Sequence, residues 1–479
     1  MPSDGTFLLY TDDEPGYKTT KLDSGVPPPS LSTLPRIIKA PRSGSSIAPP
    51  PGHANRNGRP PPPPAQRLDK PMGPAVDVVG RFFVVIENSR GPNFIEQLST
   101  PEWSRMMSER DDVRGRRADP RLLGGDLGLV RELEKQREAV MGLGLSAHEF
   151  NLVCAPNNPY EALAQSSAWG NLSAVALGHL DFLLKPVSEY LKPESKLRFV
   201  DLGSTSGGFS RYILWRAGRR GSSARGWYFG SPAGERETLD AADGLDIGRL
   251  SLDGADDTLT EFGAGSPTKP DILDPAAVEA FIGSVKSGAS AGVDLVVAES
   301  GRELADFGVD LERRQYAFIL AQSVIALRVL RAGGTFVFRM AETTTPLSAE
   351  ILFLLHACFE RMAVVRSLVS RPTCTERFIV CNHLVGESRW VASHFLAALA
   401  RMRGDQFKLS HLVSWTRVSA ERQFIDKLSG VNVTLAQSQL AGFKYAGEHS
   451  SGVAEFRPSR LQSDVAERCL NTWDLPLRK

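Results

Sequence analysis

From residue 197 onward the apolar positions switch repeatedly between two spacings. Short β-branched and aromatic runs at Leu197–Leu202, Trp227–Phe229, Val293–Ala298, Thr335–Met340, Val364–Val369 and Phe378–Cys381 predict strands. Between them, helical spacing predicts helices after residue 208 (Phe209, Tyr212, Ile213, Trp215) and over Ala276–Val285, Tyr316–Leu330 and Ser348–Glu360. Alternation of this kind predicts an α/β fold with a doubly wound, mainly parallel sheet and helices on both faces. The short connection between the last two strands predicts an antiparallel hairpin at one edge. Upstream, Val78–Ile86 reads as one or two strands, Leu127–Met141 as a helix with a charged outer face, and Leu163–Leu184 as helical. Downstream the pattern is less regular, with a helix predicted over Arg389–Met402.

Composition divides the 479 residues further. Residues 1–75 carry the runs Pro27–Pro29, Pro49–Pro51 and Pro60–Pro64 and too few apolar side chains to offset chain entropy. They are expected to be disordered, with polyproline II character and a capacity to dock proline-binding modules. Order is expected from about residue 76. An N-terminal α+β extension over 76–160, a main domain over 161–385 and a mostly helical extension over 386–479 complete the division.

The net charge of +1 excludes a wholesale attraction to polyanions, so any nucleic-acid surface must be local. Two local excesses of arginine occur, at Arg36–Arg67 and at Arg114–Arg121. The five cysteines form no C-x-x-C pair, which argues against a disulfide framework or a metal site and for a reducing, intracellular compartment, nucleus or cytoplasm. No apolar run approaches the ~20 residues that span a bilayer, and the N-terminus lacks the order of a secretory signal.

The candidate chemistry begins at Asp201-Leu202-Gly203-Ser204-Thr205-Ser206-Gly207-Gly208-Phe209. A buried strand ends in a glycine turn that opens directly into a helix, a place where backbone can approach a nucleotide-like ligand. The acid at the strand end, Asp201, suits hydroxyls or an ammonium better than a phosphate, which favours S-adenosylmethionine over a dinucleotide. A nicotinamide enzyme is further excluded by the missing G-x-G-x-x-G spacing and by a second strand, Trp227-Tyr228-Phe229-Gly230, that ends without an acid.

Five blocks in order resemble the FtsJ-like RNA 2′-O-methyltransferases, most of all the branch acting on capped mRNA. They are Gly207-Gly208-Phe209-Ser210 to Arg216, Ala224-Arg225-Gly226-Trp227, Val293 to Glu299, Gly333 to Arg339, and the closing set Cys358 to Arg361, Ser370-Arg371-Pro372 and Glu376 to Cys381. The resemblance implies a Rossmann-like methyltransferase fold, S-adenosylmethionine as cofactor and RNA as partner. It also implies ligand contacts from Asp201, Gly203, Ser206, Gly207, Gly208 and Phe209, with Asp271 at the adenine. A Lys-Asp-Lys-Glu tetrad in this family handles the proton of the ribose hydroxyl. Here its last three positions carry Glu299, Arg339 and Glu376, and the first aligns with Ala176, while Lys185 substitutes only in a shifted register. Arginine stays protonated and cannot serve as a base. Buried at a strand end, Arg339 is expected to pair with Glu299 or Glu376. Two functions stay open: an RNA 2′-O-methyltransferase, or an inactive domain of this fold that binds RNA or a protein.

Overall fold

The computed structural model describes residues 83–87, 118–203, 207–230, 258–262, 270–299, 311–385, 388–404, 409, 411–450 and 456–478, all within one structural unit, residues 75–479. The expectations for the proline-rich tail, the arginines at 36–67 and 114–117, and Ser206 fall outside the described residues.

The strands are β1 (Phe83–Glu87), β2 (Lys196–Leu202), β3 (Ser223–Phe229), β4 (Thr258–Glu261), β5 (Val293–Ala298), β6 (Leu330–Met340), β7 (Phe359–Val365) and β8 (Arg377–Leu384). The helices are α1 (Leu127–Met141), α2 (Ala147–Cys154), α3 (Leu163–Ser166), α4 (Leu172–Leu184), α5 (Gly208–Arg219) and α6 (Pro275–Gly288). They continue with α7 (Leu311–Val329), α8 (Pro346–His356), α9 (Arg389–Gly404), α10 (Trp415–Ala420), α11 (Arg422–His449) and α12 (Arg460–Thr472).

The sheet order is β1-β7-β8-β6-β5-β2-β3-β4. Neighbours from β6 to β4 run parallel, whereas β8 is antiparallel to both β6 and β7, and β1 is antiparallel to β7. This is the mainly parallel, doubly wound α/β fold that the alternation predicts. Successive side chains of each inner strand feed opposite cores, as a period of two requires. Val296, Ala298, Phe336, Phe338, Ile379 and Cys381 join α6–α11 on one face. Leu295, Val297, Val337, Phe378 and Val380 join α4, α5 and α12 on the other.

Three expectations are corrected. The β7–β8 hairpin exists but is not the sheet edge, because β1 pairs with β7 along Phe83–Glu87. The helix predicted over Ser348–Glu360 ends at His356, and β7 starts at Phe359 rather than Val364, since Phe359 already pairs with Leu384 of β8. The helical run from Leu163 is broken at Ser167–Asn171, where Gly170 takes a left-handed φ of 63° and Asn171 caps α4. The C-terminal extension, expected to be mostly helical, packs onto the main sheet domain. Trp473 and Leu475 are buried against α4, where a side chain on Gly178 would collide with Leu475, and Leu477 bridges to Ser167.

Candidate functional site at the carboxyl ends of β2, β5 and β6

From β2 the chain winds outward through β3 and β4, then returns to β5 on the opposite side of β2. In such sheets the crevice that takes a ligand is usually found where the winding reverses, here between the carboxyl ends of β2 and β5. Asp201 lies here, fully buried. Its Oδ2 accepts from the Ser210 backbone N–H (3.2 Å) and hydroxyl (2.6 Å), while Oδ1 is buried with no hydrogen-bond partner. Burial pushes its pKa up to about 7, with the nearby Glu299 charge adding to the rise against the Ser210 bonds.

The glycines serve this crevice in different ways. Gly203 has φ 75°, and a Cβ there would stand 2.9 Å from the Glu299 carbonyl oxygen, so only glycine lets the ends of β2 and β5 approach. Gly207, at φ 63°, turns the chain into α5. Gly208 abuts the start of α4, where a Cβ would lie 2.8 Å from Ser173 Cβ and 2.9 Å from Ala174 N. Phe209 is wholly buried, edge-on to Phe378, and packs α5 onto the sheet instead of facing the crevice. Asp271 is exposed, and its carboxylate accepts from Leu273 N–H (2.9 Å) to shape the turn before α6. Among the described residues no hydrogen bond ties it to the Asp201 turn.

Glu299, Arg339 and Glu376 do come together. Arg339 Nη1 is 3.0 Å from Glu376 Oε2 and 3.9 Å from Glu299 Oε1. Burial weakens the Arg339 charge, but the two carboxylates, Glu376 foremost, outweigh it and raise its pKa. Ser370 donates to Glu376 Oε1 (2.6 Å), and Ser173 donates to Glu299 Oε1. The loop carrying Glu376 is held from outside by Arg371, whose guanidinium forks onto Glu161 at 2.6–3.1 Å. Gln322 Nε2 fixes the Glu299 carbonyl at 2.6 Å.

Ser173 is the residue that sequence reasoning missed. Ala176, aligned with the first tetrad position, is buried and brings no polar group. One turn earlier on the same face of α4, Ser173 meets the carboxylate instead, and the i, i+3 spacing was the available signal. Lys185 does not substitute. It is exposed, ends α4 with φ 55°, and lies about 18 Å along the helix from Ser173. A second missed residue is the acid Glu261 at the end of β4. β3 indeed ends without an acid, but Glu261 Oε1 stands 3.6 Å from where a Cβ on Gly230 would be.

Asp181 is committed elsewhere, accepting from Val187 N–H (2.9 Å), Ser188 N–H (2.7 Å) and Tyr212 Oη (2.6 Å). Arg121 pairs with Asp119 at 2.8 Å and lies over the Trp415 ring, so it belongs to the packing of α10. Among the described residues no group of three His, Cys, Asp or Glu is arranged to hold a metal, and no helix is long and apolar enough to cross a membrane.

A doubly wound sheet with a glycine turn and an acid at the end of its first inner strand is an arrangement suited to a nucleotide-like ligand. Residues 183–384 match the model of the FtsJ-like methyltransferases. The chain is 26% identical over 357 residues to cap-specific mRNA (nucleoside-2′-O-)-methyltransferase 1 of Caenorhabditis elegans, with 67% of this chain and 36% of the relative covered. For the protein of that name from Homo sapiens the values are 25% over 350 residues, 69% and 40%. An inactive cap-specific mRNA (nucleoside-2′-O-)-methyltransferase 1B of Caenorhabditis briggsae is 25% identical over 355 residues, with 67% and 40% covered. The chain thus spans 36–40% of the length of these relatives.

Proposed function

We propose that the chain binds S-adenosylmethionine and an RNA ribose at this crevice, and that it methylates the ribose 2′-hydroxyl slowly, with a carboxylate as proton acceptor in place of a lysine amine. Capped mRNA, named for the relatives, is the first substrate to test, and such a partner implies an intracellular protein. The observation that carries the reading is the chain of contacts Ser173–Glu299–Arg339–Glu376 at the mouth of the glycine turn.

The residues fit the cofactor. Asp201 Oδ1, buried and without a partner, is ready to accept from an ammonium or hydroxyl, and Gly203 and Gly207 present no side chain at the two ends of the turn. Glu261 would take ribose hydroxyls from the neighbouring strand. The cofactor supplies an electrophilic methyl group. Glu299 is the closer candidate to receive the hydroxyl proton, since Glu376 is hydrogen-bonded to both Arg339 and Ser370. Arg339 holds a positive charge where the oxygen turns nucleophilic, but it cannot take the proton. A carboxylate is a weaker base than a tuned lysine, and loss of matched general-base assistance lowers rates by about 10²–10⁴.

The second reading is a domain that binds RNA without turnover. The engagement of Arg339 with both carboxylates favours it, as does the inactive relative. Calorimetric titration with S-adenosylmethionine and its demethylated product, followed by single-turnover methyl transfer to capped and uncapped RNA, separates the readings. Binding with slow transfer supports the enzyme, and binding without transfer supports the second reading. No binding of either compound overturns both cofactor and catalysis.

A further inference from the structure

The opposite end of the sheet carries a concavity of its own. Where β5 and β6 begin and β8 ends, a cleft of about 850 Å³ opens between α6, α7 and α9. Three cations line it: Lys286 of α6, Arg328 at the end of α7 and Arg389 at the start of α9. Ser290, Ser388 and Ser393 add hydroxyls, of which that of Ser388 donates to the Leu327 carbonyl (3.1 Å). No carboxylate among the described residues lines the cleft. Glu279, outside it, pairs with Arg328.

Arg328 ties α7 to α6 through Glu279, but Lys286 and Arg389 are not what holds these helices together. Val285, Val329 and Ala392 do that from the core, each almost wholly buried. Like charges gathered in one concavity repel and cost free energy unless an anion enters. That repulsion is visible at Lys286, whose pKa is lowered by burial first and then by Arg328 and Arg389. The volume and the polar lining suit a ligand carrying more than one anionic group.

We propose that this cleft is a phosphate-binding site, for the phosphates of an RNA strand or of a small polyphosphate. It lies at the far end of β5 from Glu299, about 20 Å away at strand rise, so it is separate from the crevice and does not rest on methyl transfer.

The test uses the full chain with tripolyphosphate and with a labelled 20-nucleotide RNA, at ionic strength matched by NaCl. Tripolyphosphate is expected to raise the melting temperature of the wild type. The double variant Lys286→Ala/Arg389→Ala is expected to weaken that binding at least tenfold while leaving S-adenosylmethionine binding unchanged. Both side chains are exposed, so the variant should fold, and its circular dichroism verifies this. If the variant also loses RNA affinity, with a shallower salt dependence, the phosphates are those of RNA. Unchanged RNA affinity alongside lost tripolyphosphate binding assigns the cleft to a small polyphosphate. No stabilisation beyond that of NaCl, or equal stabilisation of wild type and variant, overturns the proposal.

Discussion

Ser173, on the first turn of α4, donates its hydroxyl to the Glu299 carboxylate at the end of β5. A neutral donor thus occupies ground where the family's blocks imply a lysine. The first prediction concerns that exchange. Side chains on a helix lean toward its N-terminus, and a lysine stem spans about one turn, so Lys at position 176 reaches the level of Ser173. The double variant Ala176→Lys/Arg339→Lys should raise single-turnover methyl transfer by about 10²–10⁴. An unchanged rate would mean that something other than the missing amines limits the chemistry.

Asp201 predicts a pH dependence. With a folded pKa of about 7, its proton must leave before the carboxylate can hold a cationic ligand group, so S-adenosylmethionine should bind more tightly as pH rises through 7. Stability without ligand should move the other way. The raised pKa favours folding most below the unfolded value of about 4, and that contribution is lost as pH climbs toward 7. Asp201→Asn should therefore melt higher than wild type at pH 8 and bind the ligand with a flat pH profile. Calorimetry and thermal melts at pH 5 and pH 8 read both effects.

His383 predicts a second dependence of known sign. Its ring bridges Glu360 (2.9 Å) and Glu189 (2.5 Å). Burial works against the cation, but the two glutamates win and raise its pKa. The stability this bridge contributes is present below the unfolded value of about 6.5 and is lost as pH rises through the higher folded value. His383 also adopts φ 60°, which Asn tolerates. His383→Asn should lower the melting temperature at pH 6 and leave it nearly unchanged at pH 9. An equal loss at both would assign the residue a packing role alone.

Gly208 predicts a coupling between fold and site. A methyl group there would meet Ser173 and the backbone of α4, so Gly208→Ala should push the helix outward. A loss of about 1–3 kcal/mol in urea unfolding is expected. S-adenosylmethionine binding should weaken with it, whereas Gly218→Ala, which meets no atom within 4 Å, should cost neither.

Much of this was legible from spacing. The runs at Val293–Ala298 and Leu127–Met141 are the observed elements end to end, because a buried strand and a capped amphipathic helix are specified locally. The encounter of Glu299, Arg339 and Glu376 was legible only through the blocks, since three separate strand ends and loops meet there. What stayed hidden was set by distant partners. β7 begins early because β8 is already beside it, and β1 covers an edge that no local signal marks. Ser173 was missed because a serine on a helix carries no chemistry until the end of β5 is placed against it.

The strap formed by residues 473–478 gives the face that carries Ser173 an unusual dependence. Ala168 N–H donates to the Pro476 carbonyl (2.9 Å) and Arg478 N–H to that of Ser166 (2.8 Å), just ahead of the helix that presents Ser173. The entry to α4 is therefore held by a stretch some three hundred positions later in the chain. A chain cut before residue 473 would lose these two bonds and the packing of Trp473 and Leu475 on α4, and with them part of the support for the helix that carries Ser173.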